Sequence, residues 1–236
     1  MQDLIARLRA AQSVLVLTGS GISAESGLPT FRGVNGLWRT HRVEELASPE
    51  GFARDPQLVW TWYNERNAAH RRAQPNAGHY ALAALEERYR DFTLATQNVD
   101  SLHLRAGSRN VLELHGALRT ARCTGCDARE PLDSCGLELD RIEHCCGGRL
   151  RPDIVWFGEP LPSDAWEHAC AAADRAEVIL VVGTSAVVYP AAALALRRDS
   201  FVAEINPETT AISDRADCVV RETAAASLPR ILSAMC

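Results

Sequence analysis

No lysine occurs anywhere in the 236 residues; every one of the 25 basic residues is an arginine. Arginine without lysine, together with abundant alanine, is what GC-rich coding produces. It also leaves the chain with no side-chain amine to be acylated. Positive charge is short overall, since 30 acidic residues outweigh the basic ones and give a net charge of −5 with a pI near 5.8. That excludes a protein that tracks a nucleic-acid backbone by electrostatics alone. Long apolar runs are missing too: those around Val178–Val182 and Ala191–Leu196 are too short to span a bilayer, so no membrane partner is expected. No basic-then-apolar leader opens the chain, because Asp3 interrupts it, and no secretory signal is expected. What is present, 47% hydrophobic and 23% charged residues, is the balance of a globular protein with one substantial core. Disordered chains, collagen-like fibres and disulfide-stapled miniproteins are excluded by it.

Residues 3–11 read as an amphipathic helix with Leu4, Ile5 and Leu8 on one face. Ser13–Thr18 is a continuous apolar run ending in Gly19-Ser20-Gly21, the pattern of a strand buried on both faces, as in parallel sheets. Further strands are expected at 92–96, 111–114, 177–182, Phe201–Ile205 and Cys218–Val220, with helical patterns at 79–88 and 165–175 between them. This alternation predicts an α/β, doubly wound (Rossmann-like) parallel sheet formed by residues 1–38, 76–118 and 152–236. Residues 39–75 carry aromatics at helical spacing (Trp60, Trp62, Tyr63), and 119–151 carry a cysteine cluster with little apolar periodicity. Both are read as insertions that together build a smaller lobe. Ligands of open α/β sheets bind beyond the carboxyl ends of the strands, so the cleft between the lobes is the expected site.

Gly19-Ser20-Gly21-Ile22-Ser23-Ala24 fits G-x-G-x-x-G/A, whose glycines let backbone amides approach a pyrophosphate. The residues after it, Ser26 to Gly33, are punctuated too densely by glycine and proline for a regular helix and read as a loop presenting Phe31 and Arg32. GSGISAESGLPTFRG resembles the signature of the sirtuins, NAD-dependent protein deacylases. The resemblance recurs in order at Thr96-Gln97-Asn98-Val99-Asp100, Leu114-His115-Gly116, Val155-Trp156-Phe157-Gly158-Glu159, Gly183-Thr184-Ser185 and Asn206-Pro207-Glu208. Ser20 stands where the family usually has alanine.

The resemblance implies an NAD site made of Gly19, Ser20, Gly21, Ile22, Ser23, Ala24, Glu25, Thr30, Phe31, Arg32, Trp38, Gln97, Asn98, Val99, Asp100, Gly183, Thr184, Ser185, Asn206, Pro207, Glu208 and Ala224. Gln97, Asn98 and Asp100 would line the nicotinamide-ribose pocket, and Asn206 would meet the adenine ribose. His115 would be the general base on a ribose hydroxyl after the acyl oxygen attacks C1′, with Asn98 also catalytic; a histidine titrates near neutral pH without much tuning. His41, His70 and His168 are read as ordinary core or surface residues. Val155, Phe157, Gly158 and Glu159, in an extended run, and the loop near Val187 and Tyr189 would sandwich an acyl-lysine protein as an added strand.

Tyr63 and Arg66, three apart on one helix face, match the pair of the sirtuin class that removes succinyl, malonyl and glutaryl groups, and Ala47 matches its small pocket residue. An arginine fork and a phenol suit a carboxylate-tipped acyl chain. The expected activity is therefore removal of succinyl or malonyl groups from lysine, with acetyl also accepted, yielding nicotinamide and O-acyl-ADP-ribose. ADP-ribosyl transfer to protein is the alternative, and a non-catalytic NAD-sensing module a third.

Cys123 and Cys126 form a C-x-x-C knuckle, and Cys146 precedes Gly147-Gly148 as the last zinc ligand of the family does. Three residues before Cys146, where the family pattern has cysteine, stands Glu143. Cys145 is the nearest substitute; Cys135, His144 and Glu143 are the other candidates, and a metal-free knuckle is the plain alternative. The zinc, if held, is structural. A monomer in the cytoplasm is the default expectation.

Overall fold

The computed structural model describes residues 1–31, 42–126, 128–132, 136–196 and 199–235. Arg32, Trp38, His41 and Cys135 lie outside the described residues. In chain order the elements are α1 (Gln2–Ala10), β1 (Ser13–Thr18), a 3-10 helix (Ser20–Ser26), α2 (Val43–Leu46), α3 (Pro49–Arg54), α4 (Pro56–Arg72) and α5 (Ala77–Glu86). Then come β2 (Asp91–Thr96), α6 (Leu102–Arg105), β3 (Val111–Glu113), β4 (Gly116–Cys123), β5 (Arg129–Pro131), β6 (Leu150–Ile154) and α7 (Ser163–Arg175). The chain ends with β7 (Val178–Val182), β8 (Phe201–Ile205), β9 (Cys218–Val220) and α8 (Ala224–Ala234).

Six strands form a parallel sheet in the order β3-β2-β1-β7-β8-β9. Their side chains alternate between two cores. Val14, Val16, Val178, Leu180 and Val182 pack with Leu4, Leu8, Leu82, Leu85, Leu228 and Ile231 of α1, α5 and α8. Leu15, Leu17, Ile179 and Val181 pack on the other face with Ala169 and Ala173 of α7 and with Leu194. Apolar residues at consecutive strand positions are therefore required by a sheet covered on both sides. None of the described helices is long and apolar enough to cross a membrane.

The direction of winding reverses between β1 and β7, which is where an open α/β sheet leaves a crevice. Register puts the tips of the central strands level, with Thr18 opposite both Thr96 and Val182.

The smaller lobe joins α2, α3 and α4 to an antiparallel sheet of order β5-β4-β6. Its own core includes Val59, Trp60, Leu118, Leu150 and Ile154. Ser48 and Asp55 cap α3 and α4, each accepting an amide hydrogen bond (from Gly51 and Leu58) with proline at the first helical position. Each cap of this kind contributes about 1 kcal/mol. The sequence reading assigned no strand to 119–151. β4 is an arginine-bearing strand of uneven burial, and β5 is three residues long, so neither shows the strict period of two.

Candidate active site

Two glycine turns cross at the tips of β1 and β7. Gly19 N–H donates to Val182 O at 3.0 Å and Gly21 N–H to Gly183 O at 2.8 Å. A Cβ on Gly21 would sit 2.7 Å from Gly183 O, and one on Gly183 would meet Ile22 N at 2.4 Å with φ at +61°. Only glycine permits this crossing. The chain then enters the 3-10 helix over Ser20–Ser26, closed by Gly27 at φ 84°, and beyond it runs as a loop through Phe31, as expected from Ser26 on.

A cavity of about 570 Å³ opens over the crossing. Gly19, Ser20, Gly21, Ala24, Glu25 and Thr30 line the part over the crossing, with Gly183, Thr184, Ser185, Asn206, Pro207, Glu208 and Ala224 around them, and Phe31 lines the cavity beside Arg66. Gln97, Asn98, Val99 and His115 form the middle; Ala47, Tyr63, Arg66, Val155, Phe157, Gly158 and Glu159 form the far end. Ile22 is not among the lining residues and sits in the sheet core. Ser23 and Asp100 line a narrow cleft behind, shared with Asn98, Arg66 and His70. Thr209, Thr210 and Thr223 also line the main cavity; no motif singled them out, because isolated threonines after strands carry no distinctive pattern.

The polar groups in the middle are held by one another. Gln97 Nε2 donates to Thr184 Oγ1 at 3.0 Å, joining the β2 and β7 tips. Asn98 Nδ2 lies 3.2 Å from both Gly19 O and Ser23 Oγ. Ser23 donates to Asp100 Oδ2 at 2.7 Å, and Leu102 N–H to Asp100 Oδ1 at 2.9 Å; burial nevertheless pushes the Asp100 carboxyl up. Beneath them Thr18 and Thr96 hydroxyls meet at 2.8 Å, with His103 Nε2 2.9 Å from Thr18 and the Asn98 amide donating to Thr96 at 3.0 Å. His79 and His103 stack obliquely, centroids 4.9 Å apart, and burial lowers them to about 4 and about 3, so both are neutral. Sequence reasoning missed this pair, although threonines closing two otherwise apolar strands were a signal for it.

His115 Nδ1 lies 3.1 Å from Gln97 O. A carbonyl can only accept, so the proton is on Nδ1 and Nε2 keeps its lone pair. Burial pulls the ring below the ordinary histidine value, partly opposed by the Gln97 bond. The result is a neutral base with a fixed tautomer.

At the far end α4 supplies Tyr63 and Arg66. The Tyr63 hydroxyl accepts from Trp156 Nε1 at 3.1 Å, and burial holds it well above an ordinary phenol. Arg66 lies over the rings of Phe31 at 4.8 Å and Trp62 at 4.7 Å. Burial lowers it to about 10, still cationic at neutral pH, and its Nε is buried with no hydrogen-bond partner among the described residues. Val155 N–H donates to His115 O at 2.9 Å and Phe157 N–H to Ala47 O at 3.0 Å. The 155–159 segment departs from the extended run expected: Gly158, at φ 88°, turns it. Glu159 spends its carboxylate on Arg151 and on Trp156 N–H, 2.8 Å away, so its charge is already neutralised. Phe157, Val187 and Tyr189 are exposed.

Away from the cavity, Cys123, Cys126, His144 and Cys146 bring one donor atom each within 4.8 Å of one another. Cys123 Sγ is 3.3 Å from Cys146 Sγ, and His144 Nδ1 is 3.2 Å from Cys146 Sγ and 3.6 Å from Cys126 Sγ. Cys145, the expected fourth donor, is outside this group, although its Sγ comes within 3.8 Å of His144 Nδ1; His144 occupies the vertex instead. Glu143 is paired with Arg149 at 3.1 Å. Three thiols and an imidazole at this spacing fit tetrahedral zinc, and Gly125 and Gly148 amides donate to the sulfurs of Cys123 and Cys146.

The Sir2 family model matches residues 19–190. The NAD-dependent protein deacylase 2 of Pyrobaculum aerophilum is 50% identical over 228 residues, covering 95% of this chain and 92% of its own. A solved complex of a Sir2 homologue with NAD superposes with a TM-score of 0.92 at 44% identity, over 100% of this chain and 93% of that one. A Sir2 structure with a deacetylated p53 peptide and 3′-O-acetyl ADP ribose gives 0.90 at 32% identity, over 99% and 97%.

Proposed function

The chain belongs to the Sir2 family and is an NAD-dependent protein deacylase, and from that premise we propose that it prefers lysines carrying succinyl or malonyl groups while also accepting acetyl-lysine. The observation that carries the preference is Arg66: a half-buried cation stacked against two rings, its Nε buried and without a partner among the described residues, in the same cavity as the Tyr63 hydroxyl. Leaving such a group unpaired is costly, and a carboxylate at the tip of the acyl chain would satisfy it with charge-assisted bonds.

NAD fits the other end, where side chains on the crossing glycines would fill the cradle and Gln97, Asn98 and Asn206 offer amides beside it. Bound there, it supplies a nicotinamide leaving group at C1′ of its ribose. The chain's residues do the rest. Backbone amides after β1 and β7 would hold the phosphates, Phe31 would cover the nicotinamide, and Asn98 would orient the ribose. His115 Nε2 takes a proton from a ribose hydroxyl, which its neutral, fixed tautomer allows. The acyl-lysine protein lies as an extended segment between 155–158 and 187–189, and the products are free lysine, nicotinamide and O-acyl-ADP-ribose. Cys123, Cys126, His144 and Cys146 would hold zinc as a structural staple of the smaller lobe, remote from the reacting atoms.

The deciding experiment is NAD-dependent turnover of one peptide carrying either succinyl-lysine or acetyl-lysine, with wild type and Arg66→Met. Wild type is expected to favour succinyl, and the variant to lose about 10- to 100-fold in kcat/KM on it, as removal of a charged hydrogen bond does, while keeping acetyl activity. A wild type that removes only acetyl, unaltered by Arg66→Met, would reduce Tyr63 and Arg66 to scaffold.

A further inference from the structure

Besides the face that carries Tyr63 and Arg66, α4 presents a second stripe, made of Trp60, Asn64 and Arg71 at i, i+4 and i+11. All three side chains end on main-chain atoms of the cysteine-bearing insertion. Trp60 Nε1 donates to Leu150 O at 2.8 Å and Arg71 Nη2 to Leu132 O. Asn64 does both jobs at once: Nδ2 donates to Leu137 O at 2.8 Å, and Oδ1 accepts from Leu137 N–H at 3.0 Å. The partner segment is shaped for it, since Gly136 has φ 88° and a Cβ there would come 2.1 Å from Asn64 Oδ1. The helix is therefore pinned to three separate stretches of backbone, and Asn64 is the two-point pin at their centre.

A rigid helix transmits that setting. Asn64 adjoins Tyr63 and lies two residues before Arg66, so the rotation of α4 about its axis decides where the phenol and the guanidinium arrive in the cavity. We propose that Asn64 is a positioning residue for acyl-chain selection, holding α4 so that Tyr63 and Arg66 meet a carboxylate-tipped acyl group. This rests on the role given to Tyr63 and Arg66 above. Asparagine suits the task because Leu137 offers one donor and one acceptor. Aspartate would set a second acceptor against the Leu137 carbonyl, and alanine would leave both main-chain groups without their partner. An acetyl group ends short of the pair and gains nothing from their placement.

The test compares kcat and KM on succinyl- and acetyl-lysine peptides for wild type, Asn64→Ala, Asn64→Asp and Arg66→Met, using the whole chain with its zinc. Affinity for the succinyl peptide without turnover is measured by fluorescence anisotropy. Asn64→Ala is expected to lose about tenfold in kcat/KM on succinyl, mainly through KM, with a matching loss of affinity and acetyl turnover within about twofold. Asn64→Asp should fall between. Equal losses on both peptides, or none on either, would overturn the positioning role. If Arg66→Met shifts the succinyl-to-acetyl ratio and Asn64→Ala does not, only the positioning role fails; if neither shifts it, the reading of Tyr63 and Arg66 fails with it. Should Asn64→Ala not fold, Trp60→Phe removes one donor of the same stripe while keeping a ring in the core. It should move the ratio by about threefold in the same direction, and an unchanged ratio there overturns the proposal equally.

Discussion

His115 illustrates how a single contact decides a protonation state. Gln97 O fixes the proton on Nδ1, and burial holds the ring below the ordinary histidine range. A base with a lowered pKa stays neutral further into acid, so its working form persists where a free histidine would be protonated. The acid limb of the kcat/KM profile should therefore have its midpoint below pH 6.5, as measured by initial rates across buffers of constant ionic strength. His115→Ala should lower kcat by about 10²- to 10⁴-fold across the range. A midpoint above 6.5 would mean that another group titrates. Glu159 shows the opposite case: it lines the cavity, yet Arg151 and the Trp156 amide consume its carboxylate, and no motif can show that a neighbour has already taken a charge.

The cysteine-bearing ribbon has an element-level prediction of its own. His144, not Cys145, completes the four-donor group, so Cys145→Ser should retain one zinc per chain by atomic absorption while His144→Ala loses it or binds it far more weakly. The reverse result would reassign the vertex. The central parallel strands were legible because both of their faces are buried, which writes them as unbroken apolar runs such as Val178–Val182. The antiparallel strands β4–β6 were not: β4 runs for eight residues but its uneven burial and its arginines at 119 and 122 break the alternation, β5 is three residues long, and β6 carries Arg151 and Pro152 in its interior. The short helices α2 and α3, four and six residues long, have too few turns to show a period. The residues brought together over the strand tips were legible through ordered family blocks, whereas His79, His103 and their threonines were not: a histidine inside a helical pattern carries no mark of what it faces.

For the molecule as a whole, buried neutral histidines set the response to acid. His70, His79 and His103 are lowered by burial to about 3, 4 and 3. Unfolded, each titrates near 6.5, so below that pH the unfolded chain binds more protons than the folded one, and stability falls as pH falls from about 6.5 towards 4. Asp100, whose carboxyl is raised by burial, works in the opposite sense with one proton. Urea midpoints, with zinc content followed in parallel, should stay level from pH 7.5 to about 6.5 and decline from there to 4.5. Each uncompensated proton contributes about 1.4 kcal/mol per pH unit; a flat profile with zinc retained would show that these rings reach solvent.

The pairing of β1 with β7 has a consequence for how the protein is made. The segment that begins β1 touches the one that begins β7 across 164 residues of chain, as Ser13 and Glu177 do. A growing chain thus carries β1, β2 and β3 with an open apolar edge long before the central neighbour is synthesised. Such edges invite wrong partners, and contacts this distant in sequence close slowly. The crossing glycines cannot meet until Gly183 has left the ribosome, so no nascent fragment ending before it contains the cleft, and a shortage of chaperone should lower the yield of active enzyme more than the amount of polypeptide.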